Sequence, residues 1–150
     1  MNKLISRLAA LALACLGTAQ AASGLVDLRS PLSPTATMDR LDGIVRQRGL
    51  TVFARIDHAA GAAQVGQTLR PTEVLIFGNP KGGTPFMQCA QSVGLDLPLK
   101  ALVWQDAAGQ VWLSYDDPLA IAKRHGVSDC EAAQALSKAL AGLAAAAVAP

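Results

Sequence analysis

In the stretch "GNPKGGTP", Gly78 to Pro85, a lysine stands beside two glycines and just ahead of a threonine–proline pair. Such a set could hold an anion. Thr84 is a good N-cap and Pro85 suits the first helical position, which predicts a helix over Pro85 to Val93, ended by Gly94. The start of that helix would present backbone N–H groups and the positive end of its dipole, with Lys81 close by and Asn79 in the same corner. A nucleotide P-loop is excluded, because there the glycines precede the lysine and a Ser or Thr follows it. The plainer alternative is a turn in which Asn79, Pro80 and the glycines supply only the dihedrals the chain needs.

Few other residues offer chemistry. His58 follows Asp57 and could be a general base oriented by Asp57 or Glu73, or half of a metal site; a lone histidine is more often a structural hydrogen-bonder. In "RPTE", Arg70 could recognise a carboxylate or simply pair with Glu73. Asp96 is a further candidate for the same pocket. His125 falls in the last turn of an expected helix, where the dipole favours a cation, and reads as structural. Ser92, Ser114 and Ser137 lack the glycine pattern of a nucleophile elbow, and no zinc-binding helix motif or pair of catalytic carboxylates is visible. These residues imply no cofactor and no metal.

The elements that position them begin after a leader. Lys3 and Arg7 head an apolar run from Leu8 to Leu16, and Ala19-Gln20-Ala21 offers a small-x-small cleavage site, so residues 1–21 read as a signal peptide. The run is well short of the ~20 apolar residues that span a bilayer. The net charge of +2 comes wholly from Lys3 and Arg7, leaving a neutral remainder with no basic run. A neutral domain gives no electrostatic footprint for nucleic acid or an anionic membrane surface. An exported chain lives where disulfides persist, in the periplasm or outside the cell. Cys89 and Cys130 could therefore bridge, or sit apart as small buried hydrophobes.

Residues 22–34 hold two prolines and three serines and read as a flexible lead-in to a domain over 35–147. Met38, Leu41, Ile44 and Val45 recur at helical spacing before Gly49. "LTVFARID" alternates as a strand does, and "HAAGAAQVGQTL" reads as a short helix after an Asp57 cap. Val74 to Gly78 is an apolar run fit for a strand covered on both faces. "LKALVWQDAAGQVWLSYDD" reads as a hairpin, and a three-residue loop with Gly109 left-handed sets Trp104 opposite Trp112. Helices follow from Pro118 to His125 and after a capping box formed by Ser128 and Glu131. The sum is an α+β domain: four to five helices packed on a four-stranded mixed or antiparallel sheet with a C-terminal hairpin. Both hairpin faces are apolar, so the tryptophan side wants helices, a ligand or a second copy of the chain.

The phrases "HAAGAAQVGQTLRPTEVLIFGNPKGGTPFMQ", "LDLPLKALVW" and "LSYDDP", within Gly49 to His125, closely resemble the family catalogued as domain of unknown function 302. The resemblance implies a compact α+β fold and a homodimer. It brings no catalytic residue. The chain thus reads as an exported, non-catalytic binding or sensing module for a small anion, its pocket formed by His58, Arg70, Asn79, Lys81, Thr84 and Asp96. The alternative is a small hydrolase-like enzyme using His58 with Asp57 or Glu73.

Overall fold

The computed structural model describes residues 24–150. The leader expected over 1–21 lies outside them. In chain order the elements are β1 (Leu25–Ser30), α1 (Pro34–Gln47), β2 (Thr51–Asp57), α2 (His58–Gln64), β3 (Thr72–Gly78) and α3 (Pro80–Cys89). A 3-10 turn (Gln91–Leu95), β4 (Leu99–Gln105), β5 (Val111–Asp116), α4 (Pro118–Arg124) and α5 (Glu131–Ala147) complete them. The strands among the described residues form one sheet in the order β1-β5-β4-β3-β2, with every neighbouring pair antiparallel. The α+β class is as expected, but the sheet has five strands where four were expected.

The added strand is β1, inside the stretch read as a flexible lead-in. Val26 and Leu28 pack against the core while Asp27 and Arg29 take the other face, the period-2 pattern of a half-covered strand. At its end the Ser30 and Thr37 hydroxyls share a buried 2.7 Å hydrogen bond that ties β1 to α1.

The hairpin has the register its loop predicts. Trp104 lies opposite Trp112, their rings 6.3 Å apart and nearly parallel. Gly109 takes φ +82°, and the Asp106 carboxylate accepts the Ala108 and Gln110 N–H groups at 2.9 Å and the Trp112 indole N–H at 2.8 Å. Those bonds, the indole's first, hold Asp106 below the usual carboxylate range.

α1 and α5 cover one face of the sheet. Met38, Leu41 and Val45 of α1 meet Leu140, Leu143 and Ala144 of α5 over Leu75, Phe77, Val103 and Leu113. A second cluster under α3 and α4 gathers Phe86, Val93, Ile121 and Ala133, beside a Cys89–Cys130 disulfide whose Cα atoms are 6.2 Å apart. Cys130 takes the N-cap position and α5 starts at Glu131, so the Ser128–Glu131 capping box does not form. On the opposite face Val74, Ile76, Leu102, Trp104 and Trp112 are only half-buried.

The largest local departure is α3, which starts at Pro80 and not at Pro85. Asn79 is its N-cap, with its side-chain oxygen accepting the Gly82 N–H at 2.9 Å, and Pro80 fills the first helical position. Two glycines argue against a helix in isolation. Here they allow close packing: a Cβ on Gly82 would lie 3.0 Å from Leu136 of α5, and one on Gly83 would touch Leu97 at 3.5 Å.

Candidate functional site

The early start of α3 builds a pocket. One wall is the first two turns of α3, Asn79, Gly82, Gly83, Thr84 and Met87; the facing wall is Leu136, Ala139, Leu140 and Leu143 of α5. Leu50 and Phe53, Gly78, and Leu97 to Leu99 close it from the sheet's end. The cavity measures about 340 Å³. A bulge in β2 shapes its lip. Val52 pairs with Phe77 and Ala54 with Ile76, so Phe53 is left without a partner in the ladder. A bulge re-aims a side chain, and Phe53 stands 57 % exposed at the pocket.

The lining is apolar but for two side chains, Asn79 and Thr84, and it contains no titratable group. The oxygen of Asn79 is occupied by the cap, while its amino group keeps two donors for an occupant. The helix start itself has little left for an anion. Pro80 has no N–H, Gly82 donates to the Asn79 side chain and Gly83 to the Asn79 carbonyl at 3.1 Å. Only the Lys81 amide and its exposed side chain remain, and Lys81 is not in the lining.

The other candidates are elsewhere. His58 is exposed at the first position of α2, without a hydrogen bond or ion pair among the described residues. Neither proposed partner serves it: Asp57 caps the Ala60 N–H at 2.9 Å, and Glu73 pairs with Arg55, which also bonds Asp39 at 2.6 Å. Arg70 donates to the Gln105 carbonyl at 3.1 Å and does not reach Glu73. Of the six residues proposed for one pocket, Asn79 and Thr84 meet there. The described residues contain no group of three or more His, Cys, Asp or Glu side chains able to hold a metal.

Asp96 belongs to a different constellation. Its Oδ2 is 2.6 Å from His125 Nε2 and its Oδ1 3.0 Å from Arg124, while His125 Nδ1 is 2.8 Å from the Ser92 hydroxyl. Burial raises the Asp96 carboxyl, but hydrogen bonds from His125 and Arg124, with the guanidinium charge beside it, outweigh it and hold Asp96 below its usual range. No sequence pattern announces this chain. The segments that carry it are held together by the Cys89–Cys130 bridge and by Val93 packing in one cluster with Ile121 and Ala122.

Fold and site together define a class: an antiparallel five-stranded sheet with a helical layer on one face and an apolar pocket at the sheet's end. The chain belongs to the family described as domain of unknown function DUF302, whose sequence profile matches residues 26–143. That span exceeds the Gly49 to His125 region marked by the resemblance. A crystal structure of an uncharacterized conserved DUF302 protein from Bacillus stearothermophilus superposes with a TM-score of 0.76 at 20 % identity, over 84 % of this chain and 99 % of that one. That likeness shows the fold. Two proteins named fluoride-specific ion channel FluC 1, from Brucella suis biovar 1 (strain 1330) and Brucella abortus biovar 1 (strain 9-941), are each 47 % identical over 105 residues, 70 % of this chain. The match covers 41 % and 39 % of their lengths, so this chain spans about two-fifths of these curated relatives. Among the described residues no helix is long and apolar enough to cross a membrane.

Proposed function

We propose that the pocket between α3 and α5 makes this protein a binding or sensing module, non-catalytic at that site, whose ligand is a small, mainly apolar molecule with one polar end. The observation that carries this is the lining: a defined cavity walled by leucines, with Asn79 and Thr84 as its polar side chains and no acid, base or thiol. Such a site can hold and orient a molecule but has no titratable group with which to move a proton. At about 30 Å³ per water-sized group, 340 Å³ takes roughly ten to twelve of them. A medium-chain acid or alcohol has that size. The earlier expectation of a bare anion narrows to a polar end reaching Asn79 and, at the rim, Lys81.

The test is native mass spectrometry of the protein purified from its host. A bound small molecule should be retained and should vanish in Ala139→Phe, which fills the cavity from an exposed position of α5. An adduct equally abundant in that variant would place the ligand elsewhere.

Export to the periplasm or beyond is supported by the leader composition and by the disulfide, which persists in oxidising compartments. A homodimer through the open sheet face is supported by Leu102, Trp104 and Trp112. Five strands about 4.8 Å apart and about six residues long give a footprint of roughly 500 Å² per copy, so a pair buries on the order of 1,000 Å², the low end for a specific interface. Association should therefore be weak and concentration-dependent. Sedimentation velocity across a dilution series should show a monomer–dimer shift that Trp104→Lys removes; a monomer at every concentration contradicts it. The channel activity in the relatives' names is not proposed for this chain.

A further inference from the structure

The geometry points to a second site: Ser92, His125 and Asp96 form a nucleophile–base–carboxylate relay at the surface, competent for acyl transfer from small carboxylic esters. It lies apart from the pocket, whose binding role does not depend on it. The roles follow from the hydrogen bonds. Asp96, ionised and held from its other oxygen by Arg124, accepts from His125 Nε2, so that nitrogen carries the proton. His125 Nδ1 is then the lone-pair nitrogen, 2.8 Å from the Ser92 oxygen, and the Ser92 hydroxyl donates to it. A serine hydroxyl bonded to a basic imidazole that a carboxylate orients is the arrangement that activates a nucleophile.

Accessibility divides as the chemistry requires. The Ser92 side is exposed, whereas the His125 side chain is only 11 % exposed and is fixed between its two partners. In a 3-10 turn residues i and i+3 share a face, and Leu95 is three residues after Ser92 in that turn. Leu95 is 85 % exposed, the most exposed of the large apolar side chains described, and offers an acyl chain a foothold beside the nucleophile.

The step balances without a further reactant except water. As the Ser92 oxygen bonds to the ester carbonyl carbon, its proton passes to His125 Nδ1, and the departing alkoxide or phenoxide takes that proton when the ester C–O bond breaks. Water then bonds to the acyl carbon, giving one proton to His125 Nδ1. The acyl–Ser92 bond breaks, the acid leaves, and the proton returns to Ser92. Ser92 and His125 are the catalytic residues, and Asp96 is a positioning residue that acts through His125.

The experiment is labelling of the disulfide-intact protein with a fluorophosphonate, read by peptide mass mapping, alongside hydrolysis of p-nitrophenyl acetate. The expected result is a single adduct on Ser92, absent in Ser92→Ala, and labelling slowed roughly 100-fold in His125→Gln, the scale of general-base assistance. Asp96→Asn should slow labelling and Asp96→Glu should restore it in part, a rescue that a structural role alone would not give. Thermal melts confirm that each variant compared is folded. Should the His125 variant fail to fold, Ser92→Ala, altered only at an exposed hydroxyl, still decides the matter through ester turnover. No adduct on Ser92 in the native protein, labelling at the same rate in a folded His125→Gln, or ester turnover unchanged in Ser92→Ala would each overturn the proposal.

Discussion

Asn79→Ala and Thr84→Ala, compared in ligand-free protein, should separate sharply. Asn79 is the N-cap of α3, and its side-chain oxygen satisfies the Gly82 N–H at 2.9 Å in a half-buried setting. Removing such a cap costs about 1 kcal/mol, within a range of roughly 0.5–2, and a donor partly shielded from water falls in the upper half. Thr84 sits inside the helix, exposed, and its hydroxyl makes no hydrogen bond among the described residues, so alanine there should be neutral or gain a few tenths of a kcal/mol from helix propensity. Asn79→Asp keeps the capping oxygen and adds charge at the favourable end of the dipole, so it should match the wild type. Thermal unfolding followed by far-UV circular dichroism reads all three. For a domain of this size 1 kcal/mol moves Tm by about 4 °C, well within resolution. The reasoning fails if Thr84→Ala is the costly variant, since α3 would then begin at Pro85, or if Asn79→Asp is as destabilised as Asn79→Ala.

Three further outcomes follow from the same structure. Reducing Cys89–Cys130, which closes a loop with a sequence separation of 41, should lower stability by about 4 kcal/mol in the chain-entropy account, seen as a lower urea midpoint. Asp96 is depressed in the folded state, so its stabilising contribution is present above the ordinary aspartate range of the unfolded chain and is lost as pH falls through the lower folded value. Stability measured at stepwise lower pH should therefore decline less steeply in Asp96→Asn than in wild type. Lys81→Ala should leave Tm unchanged, because Lys81 is exposed and makes no hydrogen bond or ion pair among the described residues; it should weaken decanoate more than decanol if Lys81 meets the ligand's polar end.

Much of the scaffold was legible because its signals are local. The hairpin register follows from loop length and Gly109, and the core face of α1 from the spacing of Met38, Leu41 and Val45. β1 was legible as well, in the alternation of Val26 and Leu28 with Asp27 and Arg29, but the surrounding prolines and serines outweighed it. α3 was misplaced for a physical reason. Glycine's helix penalty is local, whereas its benefit at Gly82, room for Leu136, belongs to a contact more than fifty residues away. The site was less legible than the fold. Asn79 and Thr84, named from the sequence, line the cavity, but its leucine wall comes from α5, which in sequence is only an alanine-rich helix. Ser92, Asp96 and His125 carry no motif, and the contacts that bring them together, the Cys89–Cys130 bridge and the Val93–Ile121 cluster, are long-range.

The cavity between α3 and α5 is proposed to bind a small amphipathic molecule. That binding is tested most directly by titrating decanoate into methyl-labelled protein and following the leucine methyl resonances by NMR. Saturable shifts are expected at Leu97, Leu136 and Leu143, which line the cavity, with Leu25 and Leu119 unmoved, and the response should be lost in Ala139→Phe. Shifts that do not saturate, that spread over exposed leucines, or that persist unchanged in Ala139→Phe would contradict it.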